Sequence, residues 1–277
     1  MKNDPSDPIQ ARLEWAIQIA REAGDLTLEY FHQRDLAVEF KADASPVTAA
    51  DRAAEELLRQ RITERFPHDS ILGEEFGAAV GTSGYQWVLD PIDGTKSFVH
   101  GVPLYTTLVA VLAEETPRLG VIFAPACGEM VFAAKGGGCW YSDARTGTLA
   151  PTPARVSSVR LLREALVLTS EVATFTTGRK KDALPVYLAL QQSARLARTW
   201  GDGYGYLMVA TGRAEVMIDP ETNLWDVAGL QPIIEEAGGR FTDWRGRATV
   251  HSGETIATNG LVADEVLAIV QGDLAEP

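Results

Sequence analysis

Four acidic residues in three separate segments of the chain could together hold a divalent cation. Asp90 and Asp93 follow an apolar run in WVLDPIDGT, Glu74 lies in ILGEEFG, and Asp226 lies in NLWDVAG. Two carboxylates repel each other when they are brought together, so that either a proton or a divalent cation must hold them. Taken singly, Glu74 would be a solvated loop acid and Asp226 a carboxylate at a helix N-terminus. Their joint occurrence predicts an all-oxygen site that suits Mg²⁺.

The residues directly after Asp93 could bind a phosphate group. Gly94 would let a ligand approach the backbone closely, and Thr95, Lys96 and Ser97 offer successive N–H groups and hydroxyls if a helix begins there. The alternative is an ordinary turn, in which DP is followed by DG. A hard-cation site beside phosphate-binding amides is what metal-assisted phosphate hydrolysis requires.

Composition narrows the class of partner. The chain has 277 residues, 45% of them hydrophobic, and a formal net charge of −13, which disfavours a nucleic acid or an anionic membrane surface. The N-terminus does not resemble a secretory signal and no apolar run approaches ~20 residues, which predicts a cytoplasmic protein without membrane contact. Two cysteines and four separated histidines fit neither a disulfide framework nor the usual zinc site.

Two long helices are predicted before the acidic segments. Apolar residues recur at helical spacing over 9–31 and again over 50–66. Thr48 is a candidate N-cap for the second helix and would place Asp51 in its first turn, where the helix dipole favours a carboxylate. Both helices therefore have one face to bury against the rest of the chain.

Short apolar runs in the middle of the chain predict sheet strands, and further helices are predicted at 181–194, 202–211, 225–237 and 261–270. The strand WVL should end on Asp90, with Pro91 fixing a turn that returns Asp93 to its side. Helices before, between and after runs of strands indicate a layered α/β sandwich.

We expect the chain to form one unit, 1–277, made of two packed halves. The half 1–150 would carry most of the metal ligands, and the half 151–277 would carry the residues that select the substrate together with the last metal ligand. The segment 142–158, rich in Pro, Thr, Ser and Ala, is the expected loop between them.

Four segments, in this order, carry a resemblance to a known family. KADASPVTAAD, ILGEEFG, WVLDPIDGTKSFVHG and LWDVAG resemble the signature segments of the inositol monophosphatase family of Mg²⁺-dependent, lithium-sensitive phosphatases. The resemblance implies an αβαβα layered sandwich of the inositol monophosphatase and fructose-1,6-bisphosphatase type, and a homodimer. It also implies hydrolysis of a small phosphate ester by direct in-line attack of a metal-activated water, without a phosphoenzyme.

The resemblance also assigns roles to residues of this chain. Backbone amides of Gly94 and Thr95 would bind the phosphate, and the Thr95 hydroxyl, paired with Asp51, would orient the attacking water and help to deprotonate it. Glu74 would share in catalysis, Asp93 and Asp226 would also face the substrate, and Lys41 and Glu75 would lie near the site as supporting residues. Up to three Mg²⁺ ions would be held by Glu74, Asp90, Asp93, Asp226 and the backbone carbonyl of Ile92.

Substrate choice is expected in RTWGDGYGYLMVATGRAEVMIDPETNLWD, which resembles the histidinol-phosphate phosphatases of this family. Asp219 lies seven residues before Asp226, where the inositol-specific members carry a glutamate. Asp202, next to Gly203, is either a helix N-cap or a second substrate carboxylate that would favour the cationic leaving group of L-histidinol phosphate. Arg198 would contact the phosphate or orient Asp219.

Other functions remain open from the sequence. Inositol 1-phosphate, a broad range of phosphate esters or a nucleotide 3′-phosphate could be the substrate, although a nucleotide with a second phosphate would call for a more basic pocket segment. A catalytically silent protein that binds metal and phosphate is the alternative from another class. Haloacid-dehalogenase-type phosphatases carry DxDxT, whereas DxxDGT is one residue too long for both carboxylates to point the same way from a strand.

Overall fold

A computed structural model describes residues 8–33, 37–40, 46–146, 148–179 and 181–274. Three 3₁₀ turns, at Pro125–Cys127, Ala144–Thr146 and Leu162–Glu164, accompany its helices and strands. The α-helices in this part of the chain are α1 Pro8–Leu28, α2 Ala49–Arg65, α3 Thr95–Val99, α4 Thr174–Thr177, α5 Leu184–Ser193, α6 Asp202–Ala210, α7 Leu224–Val227, α8 Leu230–Glu236 and α9 Ala263–Leu274. The strands are β1 Val38–Phe40, β2 Pro46–Thr48, β3 Ser70–Gly73, β4 Gly77–Ala79, β5 Tyr85–Asp93, β6 Thr106–Ala113, β7 Thr116–Ala124, β8 Glu129–Ala134, β9 Cys139–Asp143, β10 Thr148–Pro153, β11 Leu166–Leu168, β12 Leu196–Arg198, β13 Val216–Asp219, β14 Arg240–Thr242 and β15 Thr255–Thr258.

The start of α2 is held by a capping box. The Thr48 hydroxyl accepts a hydrogen bond from the backbone N–H of Ala50 at 3.1 Å, and Asp51 Oδ2 accepts one from the Thr48 N–H at 2.8 Å. These bonds satisfy backbone donors that the first turn of a helix leaves unpaired. The predicted N-cap is therefore confirmed, and it fixes the position of Asp51.

An eight-stranded sheet forms the first β-layer. Its strand order is β10-β9-β8-β7-β6-β5-β3-β4, and all neighbours are antiparallel except β3 and β5. The helices α1 and α2 cover one face, where Leu13, Leu58 and Trp87 are among the buried residues. On the other face α8 begins so close to the sheet that a Cβ at Gly120 of β7 would overlap the carbonyl oxygen of Gly229. Only glycine permits this backbone contact.

A five-stranded sheet, ordered β12-β11-β13-β15-β14, forms the second β-layer. Its inner face and the eight-stranded sheet enclose α6 and α8 in one apolar core, which includes Leu207, Ile233 and Met217. Its outer face packs against α5 and α9 through Leu190 and Val266. The layers therefore follow the order α, β, α, β, α, and the predicted fold class is confirmed.

The strand β5 differs from its prediction. It continues through Pro91 to Asp93 instead of ending at Asp90, and its pairing with β6 is irregular between these two aspartates. Proline has no N–H to donate, so it is accommodated where the ladder is interrupted. The relative position of Asp90 and Asp93 is therefore determined by an irregularity within the strand, and not by a turn after it.

Two other segments also differ from their predictions. The segment 142–158 is not a loop throughout, because β10 lies within it and extends the eight-stranded sheet, and the expected boundary at residue 150 falls inside that strand. The helix expected over 225–237 is divided into α7 and α8, and the break lies at Gly229, where the backbone contacts β7. Among the described helices none combines the length and the apolar character needed to cross a membrane.

Candidate active site

Three carboxylates converge at one end of β5. Oxygen atoms of Asp90, Asp93 and Asp226 all lie within 4.8 Å of one another. Asp226 belongs to the first turn of α7, where its Oδ2 accepts a hydrogen bond of 2.6 Å from the backbone N–H of Asn223. Glu74 follows β3, and its backbone N–H donates to the carbonyl of Leu89 at 3.2 Å. The carboxylates of Asp90, Asp93 and Asp226 therefore meet in one place, and Glu74 lies near enough for its charge to act on Asp90.

The acid cluster carries more negative charge than its protein surroundings offset. Burial, followed by the charges of Glu74, Asp93 and Asp226, raises the pKa of Asp90 well above its usual range. Burial also raises the pKa of Asp226 to about 7, and the charges of Glu74 and Asp202 add to the effect. Asp90 Oδ1 is buried and has no hydrogen-bond partner in the described part of the chain.

A divalent cation fits this cluster. Buried carboxylates that repel one another are stabilised by a cation, and an all-oxygen set is the kind that Mg²⁺ prefers. The unpartnered oxygen of Asp90 is the atom whose burial is otherwise uncompensated. The residues that could hold the cation are Asp90, Asp93, Asp226, Glu74 and the carbonyl of Ile92.

Thr95 and Asp51 form the predicted pair. The Thr95 hydroxyl lies 3.2 Å from Asp51 Oδ1 and 3.0 Å from the carbonyl oxygen of Ile92, and its single proton can serve only one of them at a time. Burial is the main cause that raises the pKa of Asp51. Thr95 opens α3 directly after Gly94, which has a left-handed backbone conformation with φ of 87°. The sharp turn at Gly94 therefore brings the hydroxyl back beside β5.

A cavity of about 380 Å³ opens beside the acid cluster, between segments that follow strands of both sheets. Asp51, Asp90 and Ile92 are almost fully buried and lie outside its lining. The predicted site residues that line it are Glu74, Asp93, Gly94, Thr95, Asp202, Gly203, Asp219 and Asp226.

Asp219 is held rigidly by residues that the sequence did not indicate. Its Oδ1 accepts hydrogen bonds from the Thr169 hydroxyl at 3.2 Å and from the Ser170 N–H at 2.9 Å, and its Oδ2 accepts one from the Tyr206 hydroxyl at 2.9 Å. Burial raises its pKa, whereas these hydrogen bonds lower it. Tyr206 lies one helical turn after Asp202 in α6, which is the only signal that could have suggested its role.

Asp202 is not a helix N-cap, and that alternative is wrong. The N-cap of α6 is Gly201, and the Asp202 N–H donates to the Ser170 hydroxyl at 2.9 Å. The Asp202 side chain lies against Gly94, where an added Cβ would be 2.8 Å from its Oδ2. Burial and the charge of Asp219 raise the pKa of Asp202 to about 6. Asp202 thus brings a further carboxylate next to the expected phosphate-binding residues.

Gly203, in the first turn of α6, contacts the eight-stranded sheet at the site. Its N–H donates a hydrogen bond to the Asp93 carboxylate, which also accepts one of 3.0 Å from the Thr106 hydroxyl. A Cβ at position 203 would overlap Thr106 Oγ1 and lie 2.7 Å from Asp93 Oδ2. A side chain at position 203 would therefore displace an expected metal ligand.

The structure does not bring every predicted residue into the site. Arg198 is exposed at the end of β12, and its guanidinium donates to the carbonyl of Ala197 at 2.7 Å. The expected contact of Arg198 with Asp219 is not formed, because Thr169, Ser170 and Tyr206 provide the hydrogen bonds to that carboxylate.

Of the two supporting residues, Glu75 does not line the cavity. Glu75 is half-buried, and its backbone N–H donates to Glu55 Oε2 at 2.7 Å. Lys41 lies outside the described residues.

The five-layered fold and the acid cluster together are typical of metal-dependent phosphatases. The sequence model of the inositol monophosphatase family matches residues 9–274. The chain therefore belongs to the inositol monophosphatase family, whose members are metal-dependent and act on small phosphate esters. The family predicted from the four sequence segments is confirmed.

Individual relatives are similar over almost their whole length. The chain is 41% identical to a histidinol-phosphatase of Chlorobaculum parvum, over 94% of this chain and 97% of that protein. It is 38% identical to a histidinol-phosphatase of Mycobacterium tuberculosis, over 91% of this chain and 95% of that protein. Among solved structures, a Thermotoga maritima inositol monophosphatase superposes with a TM-score of 0.83 at 29% identity, covering 95% of this chain and 98% of that one.

Proposed function

We propose that this protein is a Mg²⁺-dependent phosphomonoesterase that hydrolyses L-histidinol phosphate to L-histidinol and phosphate. The observation that carries the proposal is that two further carboxylates, the buried Asp219 and the partly buried Asp202, share one cavity with Asp93 and Asp226. The leaving group of L-histidinol phosphate carries an ammonium and an imidazole, and a cavity lined by carboxylates favours such a cationic group over a neutral polyol. Two relatives at 38% and 41% identity are named histidinol-phosphatases.

The metal would be held by Glu74, Asp90, Asp93, Asp226 and the Ile92 carbonyl, with up to three Mg²⁺ ions as the family resemblance implies. Bound Mg²⁺ would supply the positive charge that acidifies a water and stabilises the oxygens of the reacting phosphate. Its charge would also lower the pKa values of the buried carboxylates, so that they remain ionised near neutral pH.

Thr95 and Asp51 would position the attacking water. When the Thr95 hydroxyl donates its proton to Asp51, as the distance of 3.2 Å permits, its lone pairs are free to accept a hydrogen bond from a water molecule. Asp51 is fixed by Thr48, so that the hydroxyl is oriented before the substrate binds. Asp51 could then receive, through Thr95, the proton that the water releases.

The phosphate and the leaving group would occupy adjoining parts of the cavity. The backbone amides of Gly94 and Thr95 would bind the phosphate oxygens. Asp202, which lies against Gly94, and Asp219, which Tyr206 holds in place, would face the leaving group. As the family resemblance implies, the phosphoryl group would pass directly to water while its bond to the L-histidinol oxygen breaks, without a phosphoenzyme.

We further propose, from the family resemblance, that the protein is a cytoplasmic homodimer and that each chain is a single phosphatase unit of two packed halves. Light scattering after size-exclusion chromatography measures the oligomeric state. A monomer at micromolar concentration would contradict the proposed dimer and leave the enzymatic proposal unaffected.

A phosphate-release panel tests the substrate. With Mg²⁺ present, we expect kcat/KM for L-histidinol phosphate to exceed that for inositol 1-phosphate at least about tenfold, which equals one extra favourable interaction of about 1.4 kcal/mol. Fructose 1,6-bisphosphate is included because a Thermotoga maritima relative, 30% identical, is named a fructose-1,6-bisphosphatase/inositol-1-monophosphatase. Adenosine 3′,5′-bisphosphate tests the nucleotide alternative. The reverse ratio would contradict L-histidinol phosphate as the substrate and would leave the proposed phosphatase activity standing. No release from any ester would favour a silent binding protein.

A further inference from the structure

An ion pair in the lining of the cavity connects segments that belong to the two sheets. Lys96 Nζ lies 2.5 Å from Glu171 Oε2, and both residues line the cavity. Lys96 is the second residue of α3 and directly follows Thr95 of the expected phosphate site. Glu171 comes from the other sheet, three residues after the end of β11 and next to Ser170, which binds Asp219. The pair therefore marks the position of an ammonium group beside the phosphate-binding residues.

This ion pair is easily exchanged for other partners. The side chains of Lys96 and Glu171 are 66% and 45% exposed, and exposed ion pairs contribute little to stability because water competes for both charges. Burial and Asp219 are the main causes of the raised pKa of Asp202, but the charge of Lys96 lowers this pKa and that of Glu171 raises it. Both charges thus act on the same part of the cavity as Asp202.

The proposed substrate carries the same two charges as the ion pair. L-Histidinol phosphate has a phosphate dianion, and its ammonium is on the carbon next to the ester carbon. The ammonium therefore stays close to the phosphate. The substrate ammonium can pair with Glu171 while the substrate phosphate pairs with Lys96, so that no charge is left unpaired after the exchange.

We propose that Glu171 binds the ammonium of the substrate, in the place that the Lys96 ammonium occupies in the free protein, and that Lys96 then turns to the phosphate. This inference rests on the proposed function and names a specificity residue for it. Glu171 would therefore select phosphate esters that carry an amine two carbons from the ester oxygen.

Other carboxylates of the cavity are less suited to this role. Asp219 already accepts hydrogen bonds from Thr169, Ser170 and Tyr206. Glu221 also lines the cavity, but its carboxylate lies over Gly178, where an added Cβ would be 2.6 Å from Glu221 Oε2. Glu221 is thus a matched control for the removal of one negative charge from the same cavity.

Two esters that differ only in the ammonium test the proposal. They are L-histidinol phosphate and 3-(imidazol-4-yl)propyl phosphate, each assayed with Mg²⁺ on the wild type, Glu171→Gln and Glu221→Gln. We expect Glu171→Gln to lower kcat/KM for L-histidinol phosphate about tenfold, mainly through KM, and to change that for the deamino ester less than about twofold. Glu221→Gln should change the ratio between the two esters less than about twofold.

The outcomes separate this inference from the proposed function. An unchanged ratio between the two esters in Glu171→Gln would overturn the role of Glu171, as would an equal change of the ratio in Glu221→Gln, which would indicate a general effect of charge. A wild type that prefers inositol 1-phosphate to both esters would overturn the proposed substrate instead. Activity on the deamino ester shows in the same assay that each variant is folded.

Lys96→Met tests the other half of the exchange. Lys96 is paired with Glu171 in the free protein, and only an ester that carries the ammonium releases it. Lys96→Met should therefore lower kcat/KM for L-histidinol phosphate on the order of fivefold and change kcat/KM for the deamino ester less than about twofold. Inhibition by inorganic phosphate, which has no ammonium, should change little. An equal loss for both esters, or no loss for L-histidinol phosphate, would contradict the movement of Lys96 to the phosphate.

Discussion

The backbone N–H of Gly203 donates a hydrogen bond to the carboxylate of Asp93, 110 positions earlier in the chain. Asp93 ends β5 of the eight-stranded sheet, and Gly203 lies in the first turn of α6, between the two sheets. The bond therefore connects an expected metal ligand with the segment in which substrate choice is expected. Substitutions on either side should affect both metal binding and specificity.

The first prediction concerns Gly203→Ala. The added methyl group would overlap Thr106 Oγ1 and crowd Asp93, so that one of them must move. We expect kcat/KM to fall at least about tenfold and the apparent Mg²⁺ affinity to fall with it, since displaced ligands bind metal more weakly. The control is Gly272→Ala in α9, where no atom lies within 4 Å of the added Cβ. That variant should retain full activity, and an equally active Gly203→Ala enzyme would show that the cavity adapts without cost.

The second prediction combines stability with activity in Asp90→Asn. Asp90 is 2% exposed, and burial, followed by the charges of the neighbouring acids, raises its pKa, so its charge destabilises the metal-free fold. We expect the neutral amide to raise Tm in EDTA at pH 8 by several degrees, equivalent to about 1 to 2 kcal/mol, and to abolish turnover with Mg²⁺. Thermal melts and phosphate release on one preparation measure both effects. A lower Tm together with retained turnover would contradict a metal site at Asp90.

The third prediction concerns the pH dependence of Tm with and without metal. Burial raises the pKa of Asp226 from 3.8 to about 7, so the stability associated with its protonated form is complete below pH 3.8 and is lost as the pH rises through 7. In EDTA, Tm should therefore fall between pH 5.5 and pH 8, on the order of 5 °C. Mg²⁺ should raise Tm more at pH 8 than at pH 5.5, because protons compete with the metal for the same oxygens. A Tm in EDTA that is independent of pH would argue against a cluster of carboxylates that raise one another's pKa.

The fourth prediction concerns the Thr95 hydroxyl. Thr95→Val removes the group that lies 3.2 Å from Asp51 and keeps the backbone amide, so we expect kcat to fall about 10²- to 10⁴-fold with little change in KM. Thr95→Ser keeps the hydroxyl and serves as the control, for which we expect at least about a third of the wild-type kcat, because the hydrogen bond to Asp51 can still form. Steady-state kinetics on L-histidinol phosphate separate the two parameters. Equal kcat values for the valine and serine variants would exclude the hydroxyl from the reaction.

Features that depend on neighbours in the chain were predictable. Thr48 and Asp51 are three positions apart, and the capping box that they form needs only the first turn of α2. The helical spacing of α1 likewise indicated a buried face, and that face packs on the eight-stranded sheet. Local hydrogen bonds and periodicity follow from the backbone geometry, which is the same in every protein.

Features that depend on distant packing were not predictable in the same way. Arg198 looked suited to a phosphate, but its side chain is exposed and donates to the neighbouring carbonyl of Ala197. Asp202 could have been an N-cap or a substrate carboxylate, but Gly201 caps α6, and the Asp202 carboxylate lies against Gly94. In neither case did the local sequence decide where the side chain points.

The sequence by itself determined the chemistry of this protein, because carboxylates suit a hard cation and glycine and threonine suit a phosphate. The period of its apolar residues also indicated the helices and strands. The tertiary structure alone decided which charges meet, as it does for Asp90 with Asp226 and for Lys96 with Glu171. The physical reason is that the packing of two sheets around α6 and α8 sets these distances, and no spacing along the chain encodes that packing.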